Sequence, residues 1–279
     1  MREHLDFPTG RDALLFRYQV RPSHRLHHHE ELEFNLALHG SCTYLVGERR
    51  YDLRRGSLIW LYPDQPHVLL NPSPDCELWV VVVRQEALKC MVRVGLDKRL
   101  LERSPVWRIL RILPSGVVEQ LDRLCQPLID AAPALANVGI VHATLMAWTA
   151  FQAADEGDSV SIDPAIDLAA RLLSRDDAPT HLPLLARRVG LSPAHLSRRF
   201  HQQLGVHIVD YRNRIRLERF LSHYREGSSL LEAALEAGFG SYPQFHRVFT
   251  QHLGVGPRDY LAGRTAPREV LVPRRSKAR

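Results

Sequence analysis

Between residues 186 and 260 the chain writes nearly the same helical pattern twice, and this duplication narrows the folds open to it more than any other feature. A shift of 49 residues lays Ser192 on Ser241, Arg198 on Arg247, Phe200 on Phe249 and Gln202 on Gln251. The same shift lays Leu204-Gly205-Val206 on Leu253-Gly254-Val255 and Asp210-Tyr211 on Asp259-Tyr260. Just upstream, with the offset one residue shorter, Ala186 matches Ala234, Gly190 matches Gly238 and Leu191 matches Phe239. Nine identities in one register mark a repeated supersecondary unit.

Each copy carries the parts of a helix-turn-helix. Ala186 and Ala234 are small enough for two helices to pack closely. Four residues later Gly190 and Gly238 suit the left-handed conformation of a tight inter-helix turn. Ser192 and Ser241 then stand as N-caps of a second helix. Leu196 and Phe200, like Phe245 and Phe249, recur at helical spacing and are expected to form the buried face, leaving the opposite face for a partner.

The stretches LLARRVGLSPAHLSRRFHQQLG and GFGSYPQFHRVFTQHLGVGPRDY, joined through YRNRIRLERF from Tyr211 to Phe220, resemble the AraC/XylS family of bacterial transcription regulators over residues 182–261. The resemblance implies that the second helix of each unit enters the major groove of double-stranded promoter DNA, the two spaced by the connecting helix. Carried over position by position, it makes Ala194, His195, Ser197, Arg198 and Arg199 of the first unit, and Tyr242, Pro243, Gln244, His246 and Arg247 of the second, the candidates for DNA contact. An Arg can bridge both acceptors of a guanine edge, Gln can pair with adenine and Ala can meet a thymine methyl, although the same arginines could serve phosphate alone. Departures from the family pattern are Ala233 for a larger aliphatic residue, Phe220 for Ala, Leu261 for Arg, and Pro243 in the first turn of the second recognition helix.

Upstream the chain changes character. From Leu14 to Val83, short runs of Val, Leu, Tyr and Phe are broken by Gly40-Ser41, Gly47-Glu48, Gly56 and Pro63-Asp64, which reads as antiparallel β-structure. Within it, His27, His29, Glu33 and Gly40 keep the spacing H-x-H-x3-E-x6-G, and His67 and Asn71 the spacing H-x3-N, a pattern similar to that of the cupin barrels. That resemblance implies a metal held by His27, His29, Glu33 and His67. Three imidazoles and a carboxylate suit one divalent iron, manganese, nickel or zinc ion. Gln65 stands for a Gly of the second cupin motif, and the leading Gly of the first is absent. Sensor barrels of this kind also keep such histidines without metal. Phe34, Tyr44, Trp60, Tyr62 and Trp79 on the strands are expected to be mostly core, with a pocket for an unknown small-molecule effector as the other reading.

From Val117 to Ala154 the apolar spacing becomes helical, interrupted at Pro133, and gives two helices that serve either homodimerisation or intramolecular packing. The polar stretch Asp155-Glu156-Gly157-Asp158-Ser159 reads as a linker. The expected fold class is therefore a two-domain α+β protein: an N-terminal cupin-like β-barrel with trailing helices, and a C-terminal all-α domain with two helix-turn-helix units. Its divisions are a barrel sensor at 1–116, a helical dimerisation region at 117–154, a linker at 155–163, the double helix-turn-helix at 164–263 and a basic, disordered tail at 264–279.

Charge agrees with this division. Residues 1–159 hold 18 Lys and Arg against 20 Asp and Glu, whereas residues 160–279 hold 19 against 11. A basic C-terminal half permits attraction to phosphate without proving it. Cys42, Cys76, Cys90 and Cys125 lack paired spacing and read as plain thiols. No signal peptide and no membrane-spanning run is read, so a cytoplasmic, nucleoid-associated location is expected. The leading function is a transcription regulator, not an enzyme, in which the barrel senses a small ligand or metal and the helical domain binds the promoter, with RNA polymerase as a further partner. A metal-dependent cupin enzyme fused to a DNA-binding domain and a ligand-independent DNA binder remain the competing classes.

Overall fold

The computed structural model describes residues 5–19, 26–93, 97–103, 105, 107–175, 181–224 and 228–262. The basic tail at 264–279 lies outside them. The chain opens with seven strands: β1 (Ala13–Gln19), β2 (Leu32–His39), β3 (Ser41–Val46), β4 (Arg49–Arg54), β5 (Ser57–Leu61), β6 (His67–Leu70) and β7 (Glu77–Val83). After α1 (Gln85–Arg93) come β8 (Leu110–Ile112), α2 (Ser115–Cys125), α3 (Pro133–Ala153) and two short strands, β9 (Asp155–Glu156) and β10 (Val160–Ser161). Seven helices follow: α4 (Pro164–Ser174), α5 (Leu182–Arg188), α6 (Pro193–Leu204), α7 (Ile208–His223), α8 (Leu230–Glu236), α9 (Tyr242–Leu253) and α10 (Pro257–Leu261). The fold class is the expected one, a β-rich N-terminal domain with trailing helices and an all-α C-terminal domain.

The strands form two antiparallel sheets, one of six strands in the order β1-β7-β2-β5-β8-β9 and one of four in the order β10-β4-β3-β6. Register decides which residues look inward. Glu33 pairs with Val82 and Leu61, Asn35 with Val80 and Ile59, and Ala37 with Leu78, so these share one face of the larger sheet. Phe34 pairs with Trp60 and Leu36 with Trp79 on the other face. That second face carries the helices: Trp60 lies 5.4 Å from Trp148 of α3, and the Trp79 indole N–H donates to Asp122 of α2 at 2.7 Å. Most of the strand aromatics are therefore core between sheet and helices, while Tyr44 faces the interior between the sheets, close enough to feel the charge of Glu33.

α3 is, among the described residues, the one helix long and apolar enough to cross a bilayer. Its packing accounts for that composition, because Ala136, Ile140, Ala143, Ala147, Trp148 and Phe151 are buried against the sheet and α2. Leu135 and Val138 remain 63% and 69% exposed.

The stretch read as a linker is laid down rather than free. Its polar residues make the edge strands β9 on β8 and β10 on β4, a position polar sequence suits because one side of an edge strand faces water. Ile162 then enters a core shared by the two domains: Leu45, Val68 and Leu70 from the outer face of the smaller sheet pack with Ile166, Leu185, Leu196, Phe200 and Leu204 of the first helical unit. The second unit has a core of its own around Phe220, Phe239, Phe245 and Phe249. α7 joins them, giving Tyr211 and Ile215 to the first and Leu217 and Phe220 to the second.

Candidate functional site

α6 and α9 begin alike. Ser192 accepts a bond from the His195 N–H at 3.3 Å, and Ser241 from the Gln244 N–H at 3.4 Å, which satisfies free donors of each first turn. Proline in that turn costs no helical bond. Gly190 and Gly238 hold φ of 71° and 92°, the left-handed turn that only glycine adopts cheaply. Leu196, Phe200 and Leu204 bury one face of α6, and Phe245, Val248 and Phe249 one face of α9.

The opposite faces reach solvent. Ala194 and Arg198 on α6, and Pro243, His246 and Arg247 on α9, are exposed, whereas His195, Ser197, Tyr242 and Gln244 are half-buried at the rim. Two candidates have intramolecular partners: Arg199 pairs with Asp163 at 2.7 Å, and the Gln244 side-chain oxygen accepts from the Gly240 N–H at 3.0 Å. Gln202 and Gln251, absent from the sequence-based set, lie exposed one turn beyond Arg198 and Arg247. Their coincidence in the repeat was the signal that could have found them. Neither helix contains Asp or Glu, so both present neutral or basic side chains outward.

The histidine pattern also converges. His27, on the loop before β2, makes an isolated bridge with His67 of β6, giving and accepting backbone bonds at 3.1 and 2.8 Å. The ligand atoms of His27, His29 and His67 all lie within 4.8 Å of one another. Glu33 joins through Oε2, 3.1 Å from His29 Nε2, and is itself held by Asn35 at 2.7 Å. His29 Nδ1 lies 3.2 Å from the Glu31 carbonyl and His67 Nδ1 2.9 Å from that of Gln65. With Nδ1–H donated to the Gln65 carbonyl, the His67 ring turns a bare Nε2 inward, the tautomer metal-bound imidazoles adopt. His67 Nε2 is buried without a hydrogen-bond partner, as is Asn35 Oδ1.

Electrostatics fit a cation. Burial would raise the Glu33 carboxyl, but hydrogen bonding to His29, the charges of His67 and His29 and the Asn35 amide bring it down to about 2. Burial, then His27, hold the His67 imidazole well below its usual range. The cluster thus offers an anionic carboxylate beside a neutral imidazole. The donor set and the orphaned nitrogen fit a divalent transition metal. Asn71, by contrast, points to the helical domain, where its amide donates to the Leu204 carbonyl at 2.8 Å. Deeper inside, Cys42 and Cys76 stand in side-chain contact, a juxtaposition their spacing did not disclose. Burial and the charge of Glu33 push the nearby Tyr44 hydroxyl well above its usual range.

Family models match both ends of the chain: an AraC-like ligand binding domain over residues 13–127 and a helix-turn-helix domain over residues 185–263. The chain belongs to the AraC family of transcription regulators. Among curated relatives, the activator RhaS of Citrobacter koseri is 23% identical over 274 residues, covering 93% of this chain and 96% of its own. The activator RhaR of Escherichia coli O139:H28 is 22% identical over 248 residues, covering 84% and 86%. Among solved structures, ToxT from Vibrio cholerae covers 90% of this chain and 97% of its own at 13% identity and a TM-score of 0.35. The AraC-like activator CuxR covers 83% of each at 16% and 0.36. This AraC-family regulator therefore combines an N-terminal ligand-binding domain with a C-terminal DNA-binding domain, and its regulation is ligand-responsive.

Proposed function

We propose that this regulator reads promoter DNA with the outward stripes of α6 and α9, Ala194, Arg198 and Gln202 in the first unit and Pro243, His246, Arg247 and Gln251 in the second. His195, Ser197 and Tyr242 sit at their edges. Arg199 and Gln244 hold the helices in place. The observation that carries the reading is the repetition of an exposed, acid-free face on two equivalent helices. Each stripe enters one segment of the major groove, where Arg and Gln are the side chains suited to purine edges. Selecting bound sites from genomic fragments with the purified full-length protein tests it. A shared motif with two half-elements is the expected result, and fragments without common sequence would refute it.

The effector enters the interior between the sheets, where Glu33, Asn35, Tyr44 and the histidines supply polar groups. A second reading of the same site is supported by the orphaned His67 Nε2: His27, His29, His67 and Glu33 hold a divalent transition metal. A bound metal would supply a fixed positive charge able to anchor an oxygen-bearing effector. The chain itself performs no catalysis. It acts in the cytoplasm on the nucleoid as a homodimer through the exposed Leu135 and Val138 of α3, and it contacts RNA polymerase when bound at a promoter.

A further inference from the structure

We propose that β6 couples the histidine cluster to the first recognition helix, and that Asn71 and Arg50 are the residues positioning that helix's C-terminal end. The inference rests on the metal reading of His27, His29, His67 and Glu33.

β6 is only four residues long and buried throughout. Successive side chains of a strand point to opposite faces. His67 and Leu69 look into the barrel, Leu69 within its core and His67 within the cluster. Val68 and Leu70 look out and belong to the same buried cluster as Leu196, Phe200 and Leu204 of α6. The next residue, Asn71, turns into the left-handed region at φ 49°, which Asn tolerates better than most residues, and so delivers its amide to the Leu204 carbonyl.

The last carbonyls of a helix have no partner within it. On α6 the barrel provides two: Asn71 donates to Leu204 at 2.8 Å, and Arg50 donates to Gln203 at 3.1 Å. The Gln203 side-chain oxygen accepts from the Asp163 N–H, and the Asp163 carboxylate holds Arg199. Contact is close: a Cβ on Gly205, which already holds φ 69°, would stand 2.7 Å from the Asn71 amide nitrogen. At the equivalent Gly254 of the second unit a Cβ would meet nothing within 4 Å. One recognition helix is thus docked on the sensor through its end and buried face, with Ala194, Arg198 and Gln202 left exposed.

A ligand that fixes His67 therefore fixes β6, and through Val68, Leu70 and Asn71 it favours the docked position of α6. Such linkage is reciprocal and contributes a factor of about 5 to 150 between coupled sites.

The test uses the full-length protein and Co(II), whose visible bands report binding independently of DNA. Hydrogen exchange is followed in peptides covering the ends of α6 and α9. In the wild-type protein, stoichiometric Co(II) should slow exchange at the C-terminal end of α6 by about fivefold or more, leaving α9 unchanged. Asn71→Asp keeps the shape of the side chain but has no N–H to give. It should bind Co(II) with the same bands yet lose most of the α6 response, and Arg50→Gln should lose part of it. Co(II) bound with no change at α6 in the wild-type protein, or a full response in Asn71→Asp, would overturn the coupling while leaving the metal site standing. Absence of Co(II) bands would overturn the metal reading and the coupling together.

Discussion

The carboxylate of Asp163 holds the guanidinium of Arg199 at 2.7 Å, while Arg198, one residue earlier on α6, is exposed. Two adjacent arginines thus have different tasks. Arg198→Ala is expected to reduce discrimination between a selected site and its scrambled version by about 1–3 kcal/mol, the range of a good bidentate base contact. Pro243→Ala should cost less discrimination, because proline has no donor for a base edge. Arg199→Ala should lower thermal stability more than discrimination. Fluorescence anisotropy against both duplexes separates the three, and equal losses on matched and scrambled DNA for Arg198→Ala and Pro243→Ala would refute the assignment.

Phe220 occupies a position where small residues are usual in the family, and the structure shows its use. Its ring lies 4.4 Å from that of Phe245 and 5.9 Å from Phe249, at the centre of the second unit's core. Phe220→Ala should cost about 3–5 kcal/mol, the usual range for emptying a packed aromatic site. Because the first unit has a separate core, proteolysis should open the region around α8 and α9 first, and a simultaneous loss of both units would contradict two independent cores.

These two sites show what the sequence carried and what it concealed. The helix-turn-helix was legible because its signals are local: Ser192 and Ser241 cap, Gly190 and Gly238 turn, and the apolar spacing runs within one helix. His27, His29 and Glu33 were legible through a spacing that is also local, H-x-H-x3-E, which resembles the cupin motif. Partnerships across long separations left no such pattern. Arg199 with Asp163, Cys42 with Cys76, and the outward turn of Val68 and Leu70 depend on how separate elements meet. Polar residues 155–159 read as a linker because edge strands tolerate the same composition.

The metal reading predicts that protein purified without chelator carries close to one divalent ion per chain by elemental analysis. His67→Ala should abolish the loading, and Glu33→Gln should weaken it, because the neutral amide removes the site's anionic ligand. Circular dichroism serves as the control for folding. Folded wild-type protein that neither carries nor takes up a transition metal would exclude the site.

Leu135 and Val138 stand exposed on a helix whose other residues are largely apolar. The double change Leu135→Glu and Val138→Glu should turn a dimer into a monomer in sedimentation at micromolar concentration. Stability should change little, since neither side chain contributes to the core. A wild-type protein that sediments as a monomer would rule out this face as the dimer contact.

Thiol reactivity offers a check on the barrel interior that does not depend on DNA. Cys90 is exposed, whereas Cys42, Cys76 and Cys125 are buried. Burial, helped by Asp122, pushes the Cys125 thiol up to about 12, so at pH 8 it is protonated as well as inaccessible. The hydrogen bond that the Cys42 thiol donates to Cys76, together with burial, raises Cys42, and the same bond lowers Cys76, which nevertheless stays 2% exposed. Alkylation of the folded protein at pH 8 should therefore label Cys90 quickly and the other three only at the rate of unfolding, because the thiolate must be both formed and reached. Rapid labelling at Cys42 or Cys76 would mean that the interior between the sheets opens in solution, and the packing described for Tyr44 and Glu33 would have to be revised with it.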